Sequence, residues 1–128
     1  MKNSYPIVLM PDKTGFCVYI VDFDSNTEGE NLTDAIEMAR DAIGLLGIDM
    51  EDDGKTLPTP SDISAITLND GEIATLVDVD FTEYRRKNDM RSVKKNCTIP
   101  SWLNAEAEKA HINFSAVLQE ALRQRLNL

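Results

Sequence analysis

Residues 94–122 read KKNCTIPSWLNAEAEKAHINFSAVLQEAL. A short alternating run opens the stretch, a proline closes that run, and two segments with helical apolar spacing follow. Over residues 94–99 the alternation puts Lys94, Asn96 and Thr98 on one face and Cys97 and Ile99 on the other. Pro100 halts a strand ladder and suits the first turn of a helix. Across residues 101–110, Trp102, Leu103, Ala107 and Ala110 share one side, and His111 then falls in a turn. Asn113 reads as an N-cap, after which Phe114, Val117, Leu118, Ala121, Leu122 and Leu126 recur at helical spacing.

A strand and two short helices cannot satisfy the strand's backbone or enclose those apolar stripes. Units this small need a disulfide, a metal or a second chain. The chain has 2 cysteines, 1 histidine and no CxxC, so neither a disulfide framework nor the usual zinc set is available. A second copy is the economical solution. Two strands would pair antiparallel into a ribbon over four helices, with Cys97, Ile99, Trp102, Leu103, Val117, Leu118 and Leu122 as the dimer core. The ribbon's polar face would then present two sets of lysine, asparagine and threonine, groups that match base edges in a major groove. A plain dimerisation module with solvated lysines is the competing reading.

The tail resembles a ribbon-helix-helix DNA-binding domain over about residues 92–126. The resemblance lies in the alternating strand, the proline after it and NFSAVLQEAL opening the second helix. It implies that Lys94, Asn96 and Thr98 read bases. It also implies that Asn113, Phe114 and Ser115, at the start of the second helix, bind a DNA phosphate, as helix N-termini do for anions. Lys95 departs from the pattern, because it occupies an inward position that is usually apolar.

Charge divides the chain in the same place. Residues 1–84 carry 4 Lys+Arg against 18 Asp+Glu, a net of −14, whereas residues 85–128 carry 9 against 4, a net of +5. A uniformly acidic surface kept for solubility would not change sign, so two parts with different partners are expected.

The acidic part reads as a small α+β domain. YPIVLM (5–10) and FCVYIVDF (16–23) are β-rich and are separated by a PDKTG turn; SNTEG (25–29) adds a third strand. The alternation puts Val18, Ile20 and Asp22 on one face of the second strand and Cys17, Tyr19, Val21 and Phe23 on the other. ENLTDAIEMARDAIGLLG (30–47) reads as a helix capped by Asn31, with Leu32, Ala35, Ile36, Ala39, Ile43 and Leu46 inward and Gly47 at its end. EDDGKTLPTPSD (51–62) is a loop, ISAITL (63–68) a strand or extended piece and IATLVDVDF (73–81) a strand. The expected order is β-β-β-α-β over residues 1–81, followed by a polar linker at 82–91 and the tail at 92–128. Cys17 and Cys97 lie in apolar alternating runs and are expected to be buried, reduced thiols.

In this order of elements nearly the whole chain resembles HicB-type antitoxins. That resemblance implies that the N-terminal domain is a reduced relative of the ribonuclease H fold. Its role would be to silence a small HicA-type toxin, an RNA-cleaving protein. The C-terminal domain would repress the protein's own operon by binding operator DNA. Asp22, Phe23, Asp24 and Glu28, around the end of the second strand, are candidate toxin contacts; ordinary exposed acids beside a core phenylalanine are the competing reading. The protein's partners would be the toxin, operator DNA and itself, as a dimer or as a tetramer if N-terminal domains also join. A transcription factor with a ligand-sensing N-terminal domain and no toxin partner is the alternative.

Other functions are disfavoured. Asp22, Asp24, Asp78 and Asp80 have the spacing of paired metal-binding carboxylates, but DxD is common and no catalytic activity is implied. Neither a nucleophile elbow nor a phosphate-binding glycine loop occurs, so no enzyme, cofactor or metal is expected. The apolar runs fall far short of the ~20 residues that cross a bilayer. The first dozen residues meet a proline and an aspartate, unlike a signal peptide, and cytoplasm is the expected compartment.

Overall fold

Strand β1 (Lys2–Pro11) lies at the centre of a four-stranded antiparallel sheet in the computed structural model, flanked by β2 (Phe16–Ile20) and β4 (Ile73–Asp80), with β3 (Ser25–Gly29) outside β2. The structure describes residues 1–88 and 91–128, which form two units, Met1–Arg91 and Ser92–Leu128. Register follows from the apolar alternation. Leu9 faces Val18, Ile7 faces Ile20 and Tyr5 faces Val77, so one face collects Tyr5, Ile7, Leu9, Val18, Ile20, Val77 and Val79. Helix α1 (Leu32–Asp52) covers that face with Ala35, Ala39 and Ile43, all fully buried. Pro6 sits within a central strand, a position that normally demands a ladder hydrogen bond. Pairing with β2 begins only at Ile7, so one flank of the Pro6 backbone has no strand beside it.

The turn between β1 and β2 is built by Asp12, whose Oδ1 accepts from the amides of Thr14 and Gly15 at 2.8 Å each. Cys17, expected to be buried, is exposed and donates its thiol to Asp12 Oδ2 at 3.1 Å. It lies on the face of β2 that α1 does not cover. Cys97 is also exposed and free within the single chain.

Further expectations are corrected in this unit. The second strand stops at Ile20, and Val21–Phe23 form a 3₁₀ turn. That turn breaks the alternation and brings Phe23 to the core face, where its ring meets Tyr5 edge-on at 5.0 Å between centroids. Residues 63–65 form another 3₁₀ turn rather than a strand, with Asp62 accepting from the Ser64 amide. Helix α1 does not end at Gly47; it continues to Asp52. Its terminator is Gly54, in the left-handed region at φ 74°, where the Lys55 amide reaches Met50 O and the Gly54 amide reaches Glu51 O.

Gly47 lies inside the helix because a second helix needs the space. Helix α2 (Phe81–Asn88) directly follows β4, within the stretch expected to be a linker. Phe81 is buried against Gly47, and the Tyr84 ring lies over Gly44. Residues 89 and 90 of the expected linker lie outside the described residues. In the C-terminal unit, α3 (Ser101–Lys109) follows Pro100, and α4 (Phe114–Leu126) follows Asn113. His111 joins the helices at φ 53°, donating its amide to Glu108 O while the Ile112 amide reaches Ala107 O. It is the left-handed residue that closes α3. No helix among the described residues is long and apolar enough to cross a membrane.

Candidate functional site

The C-terminal unit carries its apolar side chains on the outside. None of its described residues is fully buried, and Val117 and Leu122 are each 50% exposed, Trp102 69%. Ile99, Leu103 and Leu118 are exposed as well. Lys95, Cys97 and Ile99 line one open groove with Phe114, Val117 and Leu118. Lys94, Asn96 and Thr98 alternate with the first three and do not line the groove. Within one chain, residues 92–100 form no strand. A strand's backbone groups need a partner strand, and this unit contains none.

The start of α4 follows the expected cap. Asn113 has extended backbone, and its side-chain oxygen accepts from the Ala116 amide at 3.1 Å. That bond occupies one of the unpaired amides of the first turn; those of Phe114 and Ser115 precede it. The first turn of α4 contains no acidic residue, so no side-chain charge there opposes an anion.

The four candidate toxin contacts do not form one exposed cluster. Phe23 packs against the core. Asp22 is held by Ser61, whose amide and hydroxyl both donate to its carboxylate. Asp24, in the left-handed region at φ 45°, accepts from the Tyr19 hydroxyl at 2.9 Å. Glu28 is exposed on edge strand β3. The two other acids of the DxD pairs are engaged too. Asp78 meets Lys2 at 3.3 Å and Arg40 at 3.2 Å, and these cations hold its carboxyl below the usual range. Asp80 accepts from the Glu83 amide, capping α2. Among the described residues no three His, Cys, Asp or Glu side chains converge as a metal site would require.

One cluster escaped the sequence reading. At the end of α1, Asp52 Oδ1 accepts from Arg85 and Oδ2 from Arg91, each at 3.0 Å, and Glu51 lies 3.9 Å from Arg85. Hydrogen bonds from Arg91 first, then Arg85, hold the Asp52 carboxyl below its ordinary range. Arg85 and Arg91 lie more than thirty positions from Asp52, and no local signal announces their meeting. The glycines in α1 and the charge of TEYRRKND argued locally for a helix end and a linker instead.

The family model of a "HicB_like antitoxin of bacterial toxin-antitoxin system" matches residues 5–122. Among solved structures, a toxin–antitoxin complex from Streptococcus pneumoniae contains a chain 27% identical to this one. The match covers 98% of this chain and 99% of that one, with a TM-score of 0.64. A HicA3 and HicB3 toxin–antitoxin complex gives 26% identity over 61% of this chain and 99% of the other, at a TM-score of 0.51. The Burkholderia pseudomallei antitoxin HicB, at 24% identity, covers 97% of this chain and 98% of its own with a TM-score of 0.57, a likeness of fold. No curated protein gives a significant match.

Proposed function

This chain belongs to the HicB-like antitoxin family of bacterial toxin–antitoxin systems, and on that premise we propose that it both neutralises a HicA-type RNA-cleaving toxin and represses its own operon. The N-terminal unit is the toxin-binding part. Its net charge of −14 over residues 1–84 suits a basic, RNA-binding partner. Complementary charge speeds encounter with such a partner and competes with RNA for the same surface.

The C-terminal unit is the operator-binding part, a ribbon-helix-helix module completed by a second copy. The observation that carries this reading is the groove shared by Lys95, Cys97, Ile99, Phe114, Val117 and Leu118. An apolar face that nothing in its own unit covers calls for a partner, and the alternation directs Lys94, Asn96 and Thr98 elsewhere. In the dimer, two such segments pair as a ribbon, and those three side chains read bases. The amides of Phe114 and Ser115, in the turn that Asn113 caps, hold a backbone phosphate, aided by the Ser115 hydroxyl.

Two experiments test the two halves. Co-expression with the toxin encoded beside it should rescue growth, and no protection would remove the antitoxin reading in favour of a ligand-responsive repressor. In a gel shift against operator DNA, Lys94→Ala and Asn96→Ala should each cost roughly 1–3 kcal/mol and relax base preference. Unchanged binding by the double variant would show that the ribbon reads bases from other positions.

A further inference from the structure

Arg91 is the last residue of the N-terminal unit and stands three positions before Lys94. Its guanidinium reaches back to Asp52 Oδ2 at 3.0 Å, and its side chain is 69% exposed. The neighbouring cations are committed differently. Arg86 and Lys87 pair with Glu83 on their own helix, and Arg85 spans Asp52 and Glu51. Arg91 is thus the cation that joins the end of α1 to the chain leading directly into the proposed ribbon.

We infer that Arg91 is a DNA phosphate contact that Asp52 competes for, so that the end of helix α1 sets operator affinity. The inference rests on the proposed operator-binding role. Three residues of extended chain span at most about 11 Å. If Lys94 reads a base edge in a groove about 12 Å wide, the guanidinium of Arg91 falls within reach of the phosphates that border it. Arginine is well matched to that role, because its planar fork can donate two hydrogen bonds to one phosphate.

Asp52 and a phosphate draw on the same guanidinium, and the two anions repel one another across it. The Arg91–Asp52 bond is an exposed ion pair, of a kind that contributes little and weakens with salt. When Arg91 leaves, Asp52 still has Arg85 at 3.0 Å, so the carboxylate is not stranded. DNA, with its dense phosphate charge, can therefore capture the side chain. The carboxylate still reduces the gain, by about two- to fivefold for each arm given the strength of an exposed pair.

The test is a salt titration of operator binding by the full-length protein, comparing wild type with Arg91→Ala, Asp52→Asn and the double variant. Arg91→Ala should weaken binding at low salt and make the slope of log K against log salt shallower by about 0.9 for each arm engaged. Asp52→Asn should tighten binding severalfold in the wild-type background and have no effect in Arg91→Ala. That non-additivity separates competition from mere damage, since damage to the α1–α2 junction would weaken binding in both backgrounds. If wild type shifts the operator while Arg91→Ala has the same affinity and slope, the inference is overturned and the operator-binding role stands. If Asp52→Asn acts equally in both backgrounds, the competition is overturned. If wild type binds no operator at all, both readings fall together.

Discussion

The edge of the Phe81 ring occupies the space in which a Cβ on Gly47 would stand, with Cε1 2.1 Å from that position. Three residues on, Tyr84 does the same to Gly44, whose added Cβ would meet Cδ2 at 2.4 Å. The two glycines form a shallow seat in α1 into which α2 docks. In an exposed helix each would be a liability of ~1 kcal/mol relative to alanine.

Gly47→Ala should therefore destabilise the N-terminal unit, reversing the sign expected from helix propensity. Overpacking of a filled core costs about 1–3 kcal/mol. In a domain of this size each kcal/mol lowers the melting midpoint by about 4–8 °C. A midpoint equal to or above wild type in thermal unfolding would mean that Phe81 does not dock there.

Tyr84 supplies a pH signature of the same contact. Burial first, and then the hydrogen bond to Asp41 at 3.0 Å, push its hydroxyl up to about 12, against an ordinary value near 10. Between those values the unfolded chain loses the proton while the folded chain keeps it. Stability from this group is thus complete below about pH 10 and declines as pH rises towards 12. Tyr5 and Tyr19 are raised as well, Tyr5 by burial and Tyr19 by the hydrogen bond to Asp24. Ultraviolet titration should therefore show late-ionising phenolates, of which the component near pH 12 disappears in Tyr84→Phe. A wild-type titration complete near pH 10, with the protein still folded, would contradict the half-buried placement.

In the C-terminal unit the test is one of assembly. A charge placed in the uncovered stripe should prevent pairing, because an unpaired carboxylate would be buried at its centre. Leu118→Asp should sediment as a species of lower mass than wild type at micromolar concentration and lose operator binding. Protection against the toxin should survive wherever the N-terminal unit acts alone. Sedimentation identical to wild type, with both proteins folded, would show that this stripe is not the interface.

Local pattern made much of this legible. The core face of the sheet follows from the alternation of Tyr5, Ile7 and Leu9 with Val18 and Ile20. The cap at Asn31 follows from a side chain suited to accept the Asp34 amide, which it does at 2.9 Å. The cap at Asn113 has the same logic. The errors arose where one local signal had two meanings. Gly47 reads as a helix stop because glycine usually ends helices, yet here its missing Cβ admits Phe81. Phe23 reads as outward by strict alternation, yet the chain has already left the strand at Ile20. Cys17 reads as buried because its run is apolar, yet it lies on the sheet face away from α1.

By itself the sequence determined which face of each element is apolar, where charge changes sign, and where two helices begin, because these depend on neighbours within a few residues. The resemblance to the family lay in the order of those elements along nearly the whole chain, and the family model over residues 5–122 shows the membership. Tertiary structure alone decided that α1 runs on to Asp52, that α2 packs into its glycines, and that Arg91 and Asp52 meet. Those residues lie 39 positions apart, and their meeting depends on the sheet's return through β4, which no local window of sequence contains.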